Sequence, residues 1–293
     1  MSAARSSPLL EVDHVGMTYA VGGLFRRRGV RAVDDVSLRL EAGSPEVLAI
    51  IGESGSGKTT LARMILNLAT PTAGTIRFRG SDVTAIRSNS ERMAFMRQVQ
   101  PIFQNPFEAF NPLKPIDHYL FVSARRFAGA RGRTDFESKA DKALHQVGLS
   151  LAEVKGRYPH ELSGGQLQRI AIARALVSSP SLIVADEPVS MVDASLRMSI
   201  VNLFKALRDE LGVSIVYITH DLATAYYISN RVLIMQRGNA VESGDARAVL
   251  DNPQHPYSIL LRSAVLSPDD AGRPRSPADS AIPPLKHSIS NAE

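Results

Sequence analysis

The residues best suited to do chemistry fall in three short stretches. Gly52-Glu53-Ser54-Gly55-Ser56-Gly57-Lys58-Thr59 fits the spacing G-x-x-x-x-G-K-[ST], with Thr60 next in line. Glycines let such a loop turn its backbone N–H groups onto phosphate oxygens, and the helix N-terminus that follows adds partial positive charge. In that geometry Lys58 reaches the β- and γ-phosphates and Thr59 ligates Mg²⁺. The second stretch is Asp186-Glu187, at the end of the apolar run SLIVAD. An acid at a strand tip holds Mg²⁺ through water, and a carboxylate beside it orients an attacking water and takes its proton. That adjacent base favours hydrolysis over transfer to another acceptor. The third is Leu162-Ser163-Gly164-Gly165-Gln166. Read locally, Ser163 and Gln166 make a capping box that opens the helix LQRIAIARAL. The double glycine is not explained by a cap; it leaves N–H groups uncovered beside a helix start, which is a second anion site. The two anion sites sit on different helices, so one γ-phosphate does not easily reach both within one chain. The pattern makes sense if the second site serves a nucleotide bound by another subunit.

These residues need elements to hold them. Leu9 to Tyr19 and Ala32 to Leu40 read as strands, the second with Val36, Leu38 and Leu40 in alternation. The stretch VGGLFRRRGVR between them reads as a hairpin insertion with a solvated basic tip, or as a contact for a partner or lipid headgroups. Glu46 to Ile51 reads as a buried parallel strand running into the glycine loop. After the loop, Leu61, Met64, Ile65 and Leu68 recur at helical spacing until Pro71. From Phe95 to about Pro159 the chain reads as polar and helical, without buried-strand runs. Such runs return as SLIVAD (Ser181 to Asp186) and VSIVYITH (Val213 to His220), each separated by helix-length segments. Strands and helices in that order predict a parallel sheet covered on both faces.

Composition narrows the class. The 293 residues carry 34 Lys+Arg against 29 Asp+Glu, a formal charge of +5, and 44% are apolar. This is enough chain to bury a full core without staples. The absence of cysteine excludes disulfides, thiolate zinc sites, iron–sulfur clusters and cysteine nucleophiles, and is compatible with a reducing cytoplasm. No apolar run approaches the ~18 residues of a spanning helix, and the N-terminus lacks the apolar core of a secretory signal. The expectation is a chain that neither crosses a membrane nor is exported. The mild basic balance reads as a solvated surface rather than a nucleic-acid site.

From about Leu9 to Leu266 the sequence resembles ATP-binding cassette ATPases. The motifs stand in the family's order: GESGSGKTT, Gln104 in IFQNPFEAFNPLK, LSGGQLQRIAIARAL, IVADEP, SMVDASLR and YITHD. The resemblance implies an α/β fold: a P-loop NTPase core with a parallel sheet, an N-terminal antiparallel β subdomain and an inserted helical subdomain. It divides the chain into a first core part (8–94), a helical subdomain carrying Gln104 (95–160), a second core part (161–250) and a C-terminal extension (251–266); beyond it, a stretch rich in Ser, Pro and Asp reads as a disordered tail (267–293). It implies ATP and Mg²⁺ as cofactors. Tyr19 would stack on adenine, with Phe25 as the alternative because the basic insertion blurs the alignment. Gln104 would sense Mg²⁺ near a membrane partner. Ser163, Gly165 and Gln166 would meet the nucleotide of the opposite subunit, Asp193 would link the two sites, and His220 would touch the γ-phosphate. SMVD departs from the family's usual residues in its middle, which puts only local packing in doubt.

The segment NPQHPYSILLRSAV (Asn252 to Val265) and NPFEAFNPLK resemble the branch that serves oligopeptide and dipeptide uptake, whose members also import oligosaccharides, nickel or opines. Pro253, Pro256 and Tyr257 read as a turn that docks a C-terminal helix. The function implied is the ATPase subunit of a bacterial importer of peptides or oligosaccharides. Its partners would be a second cassette, by branch a related chain rather than a copy, two permease subunits and a solute-binding protein, with no nucleic acid. Its place would be peripheral, on the cytoplasmic face of the membrane. The rival is a soluble cassette ATPase acting on DNA or ribosomes.

Overall fold

The structure is a computed structural model, and it describes residues 8–21, 28–107 and 109–265. Strands β1 (Pro8–Val21) and β2 (Arg28–Glu41) pair antiparallel, ending with Val21 opposite Arg28. This is the expected hairpin; its tip, with Phe25, lies outside the described residues. The alternating residues Val36, Leu38 and Leu40 are buried with Leu10 and Val12 of β1, because side chains two apart share a face of a strand; Val33, across a register shift, is buried as well.

Strand β3 (Val47–Ile51) is buried along its whole length. Leu48 and Ile50 face a cluster shared with the antiparallel sheet and the next helix, while Ala49 and Ile51 face a second cluster on the other side. A strand covered on both faces has no polar side, hence its unbroken apolar run. Helix α1 (Lys58–Ile65) buries Leu61, Met64 and Ile65 but ends before Leu68, which is exposed. Asn67 takes a left-handed conformation, φ 54°, and stops the helix there, ahead of Pro71. Strands β4 (Ala73–Phe78) and β5 (Ser81–Asp82) then complete a four-stranded sheet in the order β2-β1-β4-β5.

Helix α2 (Asn89–Gln98) opens on a capping box between Ser88 and Glu91. It leads into β6 (Val99–Ile102), which pairs parallel with a later strand. The expectation of no buried strand beyond Phe95 is therefore corrected: Phe95 and Val99 are core residues, and the purely helical part starts later. The strand is masked in the sequence because it is four residues long and contains Pro101. Its position at the sheet edge tolerates the missing N–H.

Helices α3 (Ile116–Phe127), α4 (Arg133–His145) and α5 (Leu151–Val154) form the helical insert. Ile116, Leu120 and Ala124, spaced four apart, turn one face of α3 inward. Helix α6 (Gly164–Leu176) joins this insert to β7 (Leu182–Asp186), α7 (Ala194–Leu211) and β8 (Ser214–Thr219). One continuous apolar cluster runs from Leu120 and Leu144 through Ile170 to Ile183 and Ile215. The helical insert thus shares its core with the sheet.

After α8 (Leu222–Ile228) come β9 (Arg231–Gln236) and β10 (Asn239–Asp245), then α9 (Ala246–Asp251) and α10 (Pro256–Val265). The second sheet has the order β10-β9-β3-β8-β7-β6, parallel throughout except for β10. Neither β9 nor β10 is foreseen from the sequence. No helix among the described residues is long and apolar enough to cross a membrane.

Candidate active site

The glycine loop leaves the buried end of β3 and enters α1 through Gly57, whose φ is 103°. A Cβ there would lie 2.3 Å from the carbonyl oxygen of Ala32 on β2. Both the left-handed backbone and the contact demand glycine. Lys58, the first residue of α1, is buried. Its ammonium folds back on the loop and donates to Gly52 O at 2.6 Å, Glu53 O at 2.8 Å and Ser56 Oγ at 3.3 Å. Burial pushes the Lys58 pKa down, and the charges of Glu187, Asp186 and Glu53 oppose that.

Because β3, β8 and β7 are neighbours, the residues at their tips meet. Thr59 Oγ1 donates to Asp186 Oδ1 at 3.4 Å. Burial raises the Asp186 carboxyl above its ordinary value; Thr59 and Lys58 counteract this, and Glu187 adds to it. Glu187 has φ 51°, in the left-handed region. Its N–H donates to Ile218 O at 2.9 Å, and its carbonyl accepts from Ser190 Oγ at 3.0 Å. Those bonds hold a backbone that costs about 1–2 kcal/mol for a non-glycine residue. The carboxylate so aimed meets His220 Nδ1 at 2.9 Å from Oε1 and 2.6 Å from Oε2.

A cleft of about 620 Å³ gathers these groups, lined by Ser54, Gly55, Gly57, Lys58, Thr59, Thr60, Gln104, Glu187 and His220, with Ala32 and Glu53. It joins an anion-binding loop to a carboxylate and an imidazole. Such a set can polarise a phosphoanhydride and deprotonate a water.

Tyr19 stands exposed on β1 and does not line this cleft. Its register partner is Val30, two residues from the lining residue Ala32. Ser163, Gly165 and Gln166 occupy another cleft, of about 350 Å³, with Leu149, Arg169, Leu196 and Ile200. The two clefts share no lining residue. The capping box forms as read: Ser163 N–H donates to Gln166 Oε1 at 3.0 Å, and Gln166 N–H to Ser163 Oγ at 3.2 Å. A Cβ at Gly165 would come within 2.8 Å of Leu196 Cδ1, the end of an exposed side chain that can turn aside. Asp193 caps α7 with its carbonyl, which accepts from the N–H groups of Leu196 and Arg197 at 2.9 and 3.0 Å, and its side chain makes no capping bond.

Sequence reasoning missed one residue at the phosphate loop. The turn holding Pro253 and Pro256 does dock a C-terminal helix, α10, and it also carries the Tyr257 hydroxyl to the loop, where it accepts from Glu53 N–H at 2.9 Å. The two residues are 204 positions apart, and no motif connects them.

The family model described as "ABC transporter" matches residues 33–190. The chain is 40% identical over 266 residues to the oligopeptide transport ATP-binding protein OppF of Haemophilus influenzae, covering 89% of this chain and 79% of that protein. It is 41% identical over 274 residues to the dipeptide transport ATP-binding protein DppF of the same organism, covering 90% and 81%. Among solved structures, an ATP-binding cassette described as a dimer in a post-hydrolysis state bound to ADP and Pi matches with a TM-score of 0.71 and 27% identity, covering 81% of this chain and 99% of that one. With that fold, that loop and a carboxylate pair beside it, the chain belongs to the ABC transporter family as one of its nucleotide-binding, ATP-hydrolysing cassettes.

Proposed function

We propose that the chain powers peptide uptake, as one of two cassettes that close around ATP and drive separate permease subunits. The observation that carries the reading is the separation of the two clefts: the Lys58 loop and its base lie in one, and the Ser163 helix start lies in the other. A nucleotide in the first is completed by a second cassette's equivalent of the other. The dimeric state named for the solved cassette supports this arrangement.

In this reading Lys58 and the loop N–H groups bind the phosphates, Tyr19 stacks on the base, Glu187 takes the proton of the attacking water, and His220 leaves Glu187 for the γ-phosphate. Ser163, Gly165 and Gln166 serve the nucleotide of the opposite cassette, and Asp193 lies between the two sites. Mg²⁺ suits the oxygen donors of Thr59 and Asp186, with Gln104 at the rim of the same cleft. When bound it supplies charge neutralisation at the phosphates, and it relieves the burial cost at Asp186.

Exposed Phe103, Phe107 and Leu113 flank Gln104 in the chain and offer an apolar seat to permease helices. Two permeases, a solute-binding protein and a related second cassette are the partners, and the site of work is the cytoplasmic face of the membrane. The names of the relatives, oligopeptide and dipeptide transport proteins, favour peptides over oligosaccharides and transport over a nucleic-acid role.

Glu187→Gln keeps the shape of the base and removes its proton affinity, so hydrolysis falls about 10²–10⁴-fold while ATP still binds. ATP then holds the closed pair. Sizing with Mg-ATP shows dimer for the variant alone if the second cassette is a copy, or only with the related cassette added. Monomer under both conditions, with ATP bound, would count against the paired mechanism.

A further inference from the structure

The C-terminal segment after α9 returns to the phosphate loop along a pinned path. Gln254 and His255 donate their N–H groups to the two carboxylate oxygens of Glu242 on β10, at 2.9 and 3.1 Å. Tyr257 N–H then donates to His255 Nδ1 at 3.2 Å. These bonds feed the Tyr257 ring among Ala49 and Ile51 of β3, Leu222 of α8 and Ile234 of β9, where the residue is 7% exposed. Tyr257 therefore shares a buried cluster with the strand whose next residue begins the loop.

The hydroxyl end has a more specific task. The Glu53 N–H it accepts, at 2.9 Å, belongs to the same peptide group as the Gly52 carbonyl, which accepts from Lys58 Nζ at 2.6 Å. A peptide group is planar, so turning one end turns the other. Tyr257 and Lys58 grip this one plane from opposite sides.

We infer that Tyr257 is a positioning residue of the nucleotide site: its hydroxyl holds the Gly52–Glu53 peptide in the orientation from which Lys58 and the loop receive phosphate. The inference rests on the Lys58 cleft being the ATP site. Tyr257 touches no reacting atom and acts through the loop. It links the C-terminal extension, outside the residues 33–190 matched by the family model, to the affinity for nucleotide.

Tyr257→Phe in the full chain keeps the ring and removes the acceptor. Lys58 meets the phosphates in both ground and transition states, so the loss falls on binding. The Kd for ATP and for ADP rises about fivefold, as for one net hydrogen bond. With the partner cassette present, KM rises by the same factor and kcat stays within about twofold. The melting temperature of the nucleotide-free chain falls by a few degrees at most, since the same bond is lost there. A purely packing role predicts that Phe behaves as Tyr and that only Tyr257→Ala loses affinity; a Tyr257→Phe chain with parental Kd and KM overturns the inference. Lys58→Ala, titrated alongside, separates the two levels. If it loses ATP while Tyr257→Phe does not, only the positioning role falls; if it binds ATP as the parent does, the site reading falls with it. Amide exchange of the unsubstituted, nucleotide-free chain gives a check that needs no variant. Glu53 N–H should exchange more slowly than that of its loop neighbour Ser54, and equal rates would also overturn the inference.

Discussion

Asp186, proposed above as a Mg²⁺ ligand, shows how a buried acid at a strand tip is held at a cost. Burial pushes its carboxyl above the ordinary value, so the folded chain holds a proton there more tightly than the unfolded chain does. The stability tied to that proton is fully present below the unfolded carboxylate pKa and is lost as pH rises through the folded value; at neutral pH the ionised group is therefore a net burden. Asp186→Asn is neutral at every pH and can still accept from Thr59. It should raise the melting temperature of the nucleotide-free chain by on the order of a degree or two near neutral pH, with the gain shrinking on acidification, while metal-dependent hydrolysis is lost. Thermal melts across pH would show this, and an Asn variant less stable than the parent at about pH 8 would contradict it. Glu187 is a second case, at φ 51°. Its proposed role as a base is legible from its place after Asp186, but its strained backbone is not, because the bonds that enforce it come from Ile218 and Ser190.

At the scale of elements, the phosphate loop is the clearest example of local sequence dictating local structure. Gly57 occupies a conformation that L residues resist, against the backbone of β2. Gly57→Ala should destabilise the nucleotide-free chain by about 1–3 kcal/mol and weaken ATP binding severely, because the loop must open to admit the Cβ. Denaturant unfolding and nucleotide titration would check the two effects, and a variant with parental stability would show that Ala32 gives way freely. The cap at Ser163 and the alternation in β2 are equally local, and both form as read. Elements whose reason is not local escape such reading. Strand β6 exists because β7 offers it an edge, although Pro101 speaks against a strand. The polar β10 exists because β9 pairs with it, and it carries little apolar signal of its own.

For the whole molecule, the decisive feature is that one chain carries the Lys58 loop and the Ser163 helix start in two separate clefts, which the proposed pairing reads as half-sites. Ser163→Arg should leave the chain's own affinity for ATP within about twofold of the parent, because the Lys58 cleft shares no residue with it, yet abolish hydrolysis at the site that this Ser163 completes across the pair. ATP titration of the single chain, set against turnover of the assembled pair, tests this; a variant that loses its own ATP affinity would mean that the two clefts communicate within one chain. The continuous core runs from Phe110 and the helical insert to Ile183 and Ala185 of β7, the strand that ends in Asp186.

The sequence by itself determined the chemistry available: a phosphate loop, an acid pair, a histidine and a capped glycine helix start, each defined by residue types within one turn or one strand end. It also determined the parallel core, because strands buried on both faces must be apolar throughout. Only the tertiary structure decided which of these groups meet. Lys58, Gln104, Glu187 and His220 share a cleft because the sheet order sets β3, β8, β7 and β6 side by side, and strand order depends on packing between segments far apart in the chain. The same holds for Tyr257, whose hydroxyl reaches Glu53 because α10 packs on α8 and buries Tyr257 in the cluster that also holds Ala49 and Ile51; a hydrogen bond across 204 positions follows from the folded shape and leaves no periodicity in either segment.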